Sequence, residues 1–198
     1  MAFTDPRALA AGPYRTSDPL SARAAIYAWQ RPKVDLLGAA VAVLADLSDR
    51  TLVVDVGCGP GRFLGRLRVA RPDLRCLGVD VGTGMLGAIE DAQVRRVVGS
   101  ADALPVRSQA ADAAVAMHML YHLPDPQAGL AELRRVVRPG GWLVVSANDY
   151  DADGLWQLFV DAGLNRDPVS ARWPLGGATA AVRAAGFGDV HPQVFDTR

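Results

Sequence analysis

Short apolar runs and amphipathic stretches take turns along the middle of this chain. Residues 51–56, Thr-Leu-Val-Val-Asp-Val, are apolar and β-branched at consecutive positions and run straight into glycines, the pattern of a strand buried on both faces of a parallel sheet. Similar runs recur at 75–80, 94–98, 112–116 and 142–147, and helical spacing fills the gaps at 62–70, 84–91 and 126–138. Strands and helices that alternate through the middle of the chain predict an α/β fold with a doubly wound, mostly parallel, Rossmann-like sheet. Arg138-Pro139-Gly140-Gly141 is expected to close the helix at 126–138 and turn into the next strand.

The flanks are read differently. Ser17-Asp18-Pro19 is a helix-start signal, and Leu20, Ala24, Tyr27 and Ala28 follow at helical spacing, so a first helix is expected to reach Gln30. Pro32 restarts the chain, and Val34, Leu37, Val41 and Leu44 mark a second helix. Residues 1–50 thus form a helical cap ahead of a core at 51–198, one domain overall. After Ala147 come a polar turn at 148–153, a helix at 155–164 and a Pro/Trp loop at 167–177, which suggest a lid-like insertion over about 148–177. A last helix is expected at 178–185. A final strand is expected at 187–195, where Pro192 restricts it to a sheet edge.

Candidate chemistry gathers where the first strand ends. Gly57-Cys58-Gly59-Pro60-Gly61 lies between a buried strand and an amphipathic helix, where an open α/β sheet binds ligands beyond the carboxyl ends of its strands. The dinucleotide fingerprint would need glycine where Arg62 stands, which argues against NAD and FAD. Asp80, 19 residues beyond Gly61 at the end of the next strand, can accept hydrogen bonds from both hydroxyls of a ribose. Asp55 is a cofactor candidate that also orients the loop backbone.

Composition narrows the partners. The 198 residues hold 21 basic and 21 acidic side chains, so no net charge draws the chain toward nucleic acid or an anionic membrane. The apolar stretch 39–45 is too short to span a bilayer, and the N-terminus does not resemble a signal peptide. Two cysteines, Cys58 and Cys76, are too few for a disulfide scaffold and fit a reducing cytoplasm. An arginine-rich, alanine-rich chain with Lys33 as its one lysine suggests a bacterial, GC-rich coding sequence.

Residues 53–61, 77–86, 99–105, 112–123 and 131–145 together resemble the class I S-adenosylmethionine-dependent methyltransferases, in the small-molecule branch with D-V-G-C-G-P-G, A-D-A-L-P and Y-H-L motifs. The likeness spans about two thirds of the chain and implies S-adenosylmethionine as cofactor, with S-adenosylhomocysteine as product. It implies that Gly57 and Gly59 pack against the aminoacyl part, that Asp80 binds the ribose, and that Val81 and Met85 flank the adenine. Ala101 and Asp102 would meet the adenine edge, and Met117 would line the wall after the fourth strand. Tyr14 and Arg23 resemble residues that close over the methionine carboxylate. The resemblance also implies a seventh strand, for which no segment is expected after 187–195; either the domain is truncated or unusual, or a second copy is expected to pair with the open sheet edge.

His118, Tyr121 and His122 form the cluster with acid/base potential at the expected pocket mouth. His122, at the family's H-L position, is the candidate catalytic residue; the alternative is that it only supports the wall. No HxxxH pair falls on an expected helix and no cysteine cluster is present, so no metal is expected. The expected reaction is in-line methyl transfer to a small-molecule acceptor, driven by proximity and desolvation. The alternative is a regulatory or structural module that binds the cofactor without transferring a methyl group.

Overall fold

A computed structural model describes residues 33–146 and 175–195, together with Asp5, Ala11, Gly12, Arg15 and Thr16. Tyr14, Arg23, the helix expected at 17–30 and most of the expected lid lie outside the described residues.

Helix α1 (Leu36–Val43) leads into strand β1 (Leu52–Val56), helix α2 (Arg62–Ala70), strand β2 (Arg75–Asp80) and the short helix α3 (Thr83–Gly87). Strands β3 (Arg95–Val98) and β4 (Ala111–Met117) follow without a helix between them. A single 3₁₀ turn (Leu120–His122), helix α4 (Pro126–Val136), strand β5 (Val137–Ser146) and helix α5 (Leu175–Ala184) complete the described elements. The five strands lie in the order β3-β2-β1-β4-β5, every pair parallel. The chain moves outward from β1 in one direction, then returns past it to continue on the other side. That reversal opens a crevice between the carboxyl ends of β1 and β4.

Local chemistry sets the helix starts. The Asp35 carboxylate caps α1 by accepting from the Gly38 amide at 3.0 Å and also holds Arg66 of α2. Asp125 caps α4 by accepting from Gln127 N–H at 2.9 Å, and Pro126 occupies the first turn, where its missing N–H costs nothing. Two cores follow from the strand alternation. Val53, Cys76, Ala113 and Val115 pack with Leu64 and Leu67 of α2 on one face, while Val54, Val56, Ala114 and Ala116 pack with Leu130 and Leu133 of α4 on the other.

Three expectations are corrected. Residues 187–195 form no strand: Pro192 cannot donate to a ladder, Gly186 takes a left-handed φ of 90°, and Val194 stays 69% exposed. Helix α4 stops at Val136, and Val137 already pairs with Ala111, so Arg138-Pro139-Gly140-Gly141 bulges from the start of β5 before Trp142 pairs with Ala113. Helix α3 is shorter than the span 84–91, ending at Gly87.

Candidate cofactor and acceptor site

Strand register builds the site. Val56 lies beside Val79, Asp55 beside Val115, and Met117 beside Ser146. Extended by one or two residues, these pairings place Asp80, Gly57, Met117 and Ser146 in one row across the carboxyl edge of the sheet. Residues far apart in sequence thereby face one crevice.

The glycine turn winds through left-handed backbone at Gly57 (φ 66°), Gly59 (φ 53°) and Gly61 (φ 76°), conformations that side chains rarely adopt. Its amides are consumed within the protein. Gly57 and Cys58 N–H donate to the Val79 carbonyl at 2.8 and 3.1 Å, and Gly59 N–H donates to Asp80 Oδ2 at 2.8 Å. The glycines therefore contribute close approach more than free donors: a Cβ on Gly57 would stand 2.8 Å from the Met119 side chain.

Asp80 is held from two sides, since Oδ1 accepts from Gly82 N–H at 2.8 Å while Oδ2 accepts from Gly59. Each oxygen keeps lone-pair capacity for a hydroxyl. Burial raises the Asp80 pKa, and the amides of Gly82, Gly59 and Val81 oppose that rise. Asp55 is 2% exposed, and burial pushes its carboxyl well above the usual carboxylate range, with the nearby Asp80 charge adding to the rise. Two acids crowded under one turn favour a cationic neighbour. Cys58 is no nucleophile, because burial and the same two carboxylates drive its thiol far up.

The other named residues separate by exposure. Val81 is half-buried, Met85 fully buried, Ala101 buried and Asp102 exposed, the Asp102 carboxylate accepting from Ser100 Oγ. Met117 ends β4 and is partly buried. The loop carrying Ala101 and Asp102 is pinned by a pair that the sequence reading missed. Glu132 Oε2 accepts from Leu104 N–H at 2.7 Å, and Arg135, ion-paired with Glu132 at 2.6 Å, donates to the carbonyls of Leu104 and Val106. Their i, i+3 spacing on α4 was the available signal, yet such a pair ordinarily reads as solvated surface.

Beyond β4 the chain turns sharply. His118 has a left-handed φ of 52°, His122 N–H donates to the Met119 carbonyl at 2.9 Å, and the Tyr121 and His122 rings lie 4.5 Å apart at 52°. Of the three residues singled out from sequence, Tyr121 and His122 thus have their rings together just beyond β4, while His118 is set apart by its backbone turn. Among the described residues no three His, Cys, Asp or Glu side chains are grouped to hold a metal, and no helix is long and apolar enough to cross a membrane.

Comparison with known proteins adds to this geometry. A family model described as a methyltransferase domain matches residues 54–145. A ubiquinone biosynthesis O-methyltransferase of Paracidovorax citrulli is 36% identical over 129 residues, covering 60% of this chain and 52% of that protein. A tRNA (carboxymethyluridine(34)-5-O)-methyltransferase of Mus musculus is 32% identical over 108 residues, covering 53% of this chain and 16% of its own length. The chain spans about half or less of the curated relatives it matches. Among solved structures, an S-adenosylmethionine-dependent methyltransferase of Thermotoga maritima superposes with TM-score 0.67 at 19% identity, over 89% of this chain and 80% of that one. A [4+2]-cyclase superposes with TM-score 0.61 at 26% identity, over 78% and 57%. The strand order and the matched domain agree: residues 54–145 match a methyltransferase domain, and the sheet has the fold of S-adenosylmethionine-dependent methyltransferases.

Proposed function

We propose that this chain binds S-adenosylmethionine at the β1–β2 edge and transfers its methyl group to a small-molecule acceptor held beyond β4. The observation that carries the proposal is Asp80, buried at the end of β2 and fixed by the Gly59 and Gly82 amides with lone pairs to spare. Those acceptor oxygens fit the hydroxyls of a ribose, and Asp55, buried beneath the same turn, is proposed to steady the loop against the aminoacyl end.

When bound, the cofactor supplies an electrophilic methyl group. The chain supplies position: Asp80 fixes the sugar, the Cβ-free surface of Gly57 allows close approach, and Ala101 and Asp102 offer an edge for the adenine. Val81, Met85 and Met117 form apolar walls, whose exclusion of water leaves the sulfonium and its nucleophile poorly solvated. His122, just beyond β4, is proposed to hold the acceptor at the mouth. Tyr14 and Arg23 are proposed to close over the aminoacyl end.

A small-molecule acceptor is favoured over tRNA by the zero net charge, since a polyanion is ordinarily held by a basic surface. The solved cyclase with the same fold favours a second reading, in which the cofactor is bound and no methyl group moves. Calorimetric titration with S-adenosylhomocysteine, followed by S-adenosylmethionine turnover with phenol, catechol and primary-amine probes, separates the two. Saturable binding with turnover is expected. Binding without turnover selects the second reading, and no binding by folded protein removes both.

A further inference from the structure

His118 carries two anomalies that the donor site does not use. Its backbone φ of 52° is left-handed, and its Nδ1 is buried without a hydrogen-bond partner. Among the described residues, the other two non-glycine residues with positive φ, Arg50 and Gln109, sit in exposed turns entering β1 and β4 at the opposite end of the strands. There a left-handed turn only connects elements. At His118 it is imposed on a half-buried side chain at the crevice, and β5 enforces it: the His118 amide donates to both the carbonyl and the hydroxyl of Ser146, at 3.2 and 3.0 Å. Meanwhile Met119, the next residue, lies against Gly57. The His118 backbone is therefore held to the end of β5, one residue before a side chain that lies against the glycine turn.

A strained backbone and an unsatisfied buried nitrogen both destabilise the fold, and such features persist where they serve a ligand. From this juxtaposition we infer that His118 is the acceptor-side catalytic residue, its Nδ1 taking a hydrogen bond from an acceptor O–H or N–H and receiving that proton as the methyl group transfers. The inference rests on the methyl-transfer reading above and names the acceptor class, a heteroatom with a removable proton. The acceptor heteroatom forms its bond to the methyl carbon, the carbon–sulfur electron pair leaves with sulfur, and the acceptor proton passes to Nδ1, from which water later removes it. Burial lowers the His118 pKa, so the ring is neutral and able to accept at neutral pH.

The test compares His118→Gly and His118→Asn, two residues that tolerate left-handed backbone, with the unaltered chain. Both variants should keep S-adenosylhomocysteine affinity within about twofold by calorimetry and lose about 100-fold or more of methyl transfer to whichever phenol, catechol or amine the chain accepts. The glycine variant should melt about 2–4 °C higher, because strain and orphaned nitrogen go together. A lower melting point in both variants would make His118 a structural residue, and retained transfer would overturn the catalytic role outright. If the unaltered chain binds S-adenosylhomocysteine but methylates none of the probes, the transfer reading and this catalytic role fall together. The melting comparison then decides only whether His118 is strained.

Discussion

The two halves of the crevice are built on opposite principles. On the β1–β2 side the Gly57 and Cys58 amides donate to the Val79 carbonyl, and the Gly59 and Gly82 amides donate to the Asp80 carboxylate, so the turn is tied down within the protein. On the β4–β5 side, His118 is bent into left-handed backbone with a buried nitrogen left over. Under the proposed function, the tied-down half would receive the cofactor, and the incompletely satisfied half would be completed by the acceptor. Damage to the first half should cost both stability and cofactor affinity, while damage to the second should spare both and cost turnover.

The sharpest way to break the contrast is Asp80→Ala, which removes the proposed sugar contacts and releases the Gly59 and Gly82 amides together. Calorimetry should show S-adenosylhomocysteine affinity reduced at least about 100-fold, near 2.7 kcal/mol. Unchanged affinity would move the donor site elsewhere. Next in size is Gly57→Ala, where a Cβ meets Met119 at 2.8 Å on a backbone with φ 66°. Chemical denaturation should read a loss of about 2–4 kcal/mol from crowding and left-handed strain. Adding Met119→Ala should recover the crowding part only.

Asp55→Asn reverses the sign. Because the folded-state pKa of Asp55 is raised, the folded protein holds its proton after the unfolded chain has lost it. Stability should therefore fall as pH rises from the ordinary carboxylate value of 3.8 toward the raised one, and Asn should abolish that fall. Thermal melting against pH should show the variant more stable at neutral pH, by about 2–4 °C for each kcal/mol relieved, yet weaker in binding S-adenosylhomocysteine. A steeper loss in the variant would contradict the burial argument. The smallest effect belongs to Glu132→Gln, which weakens the clasp on Leu104 and Arg135 and should cost about 1 kcal/mol in denaturant midpoint analysis. A larger loss of cofactor affinity than of stability would show that the loop of Ala101 and Asp102 is part of the adenine site.

The alternation of apolar runs with amphipathic stretches was enough to read β1, β2 and α2 nearly to the residue, because a strand buried on both faces and a helix buried on one leave different periods in the chain. The glycine turn was legible for a related reason: glycine accommodates repeated positive φ without strain, and the structure places the Asp80 carboxylate on the turn's Gly59 amide. Sequence could not show that Gly57 lies under Met119, that Glu132 reaches Leu104, or that Ser146 bends His118, since each depends on which strands are neighbours and in what register. Nor could it show that residues 187–195 fail to join the sheet, because an apolar run becomes a strand only where a neighbouring edge accepts it. Local period and residue chemistry determined the elements and the donor loop; the parallel pairing of β4 between β1 and β5 decided which side chains meet across the crevice.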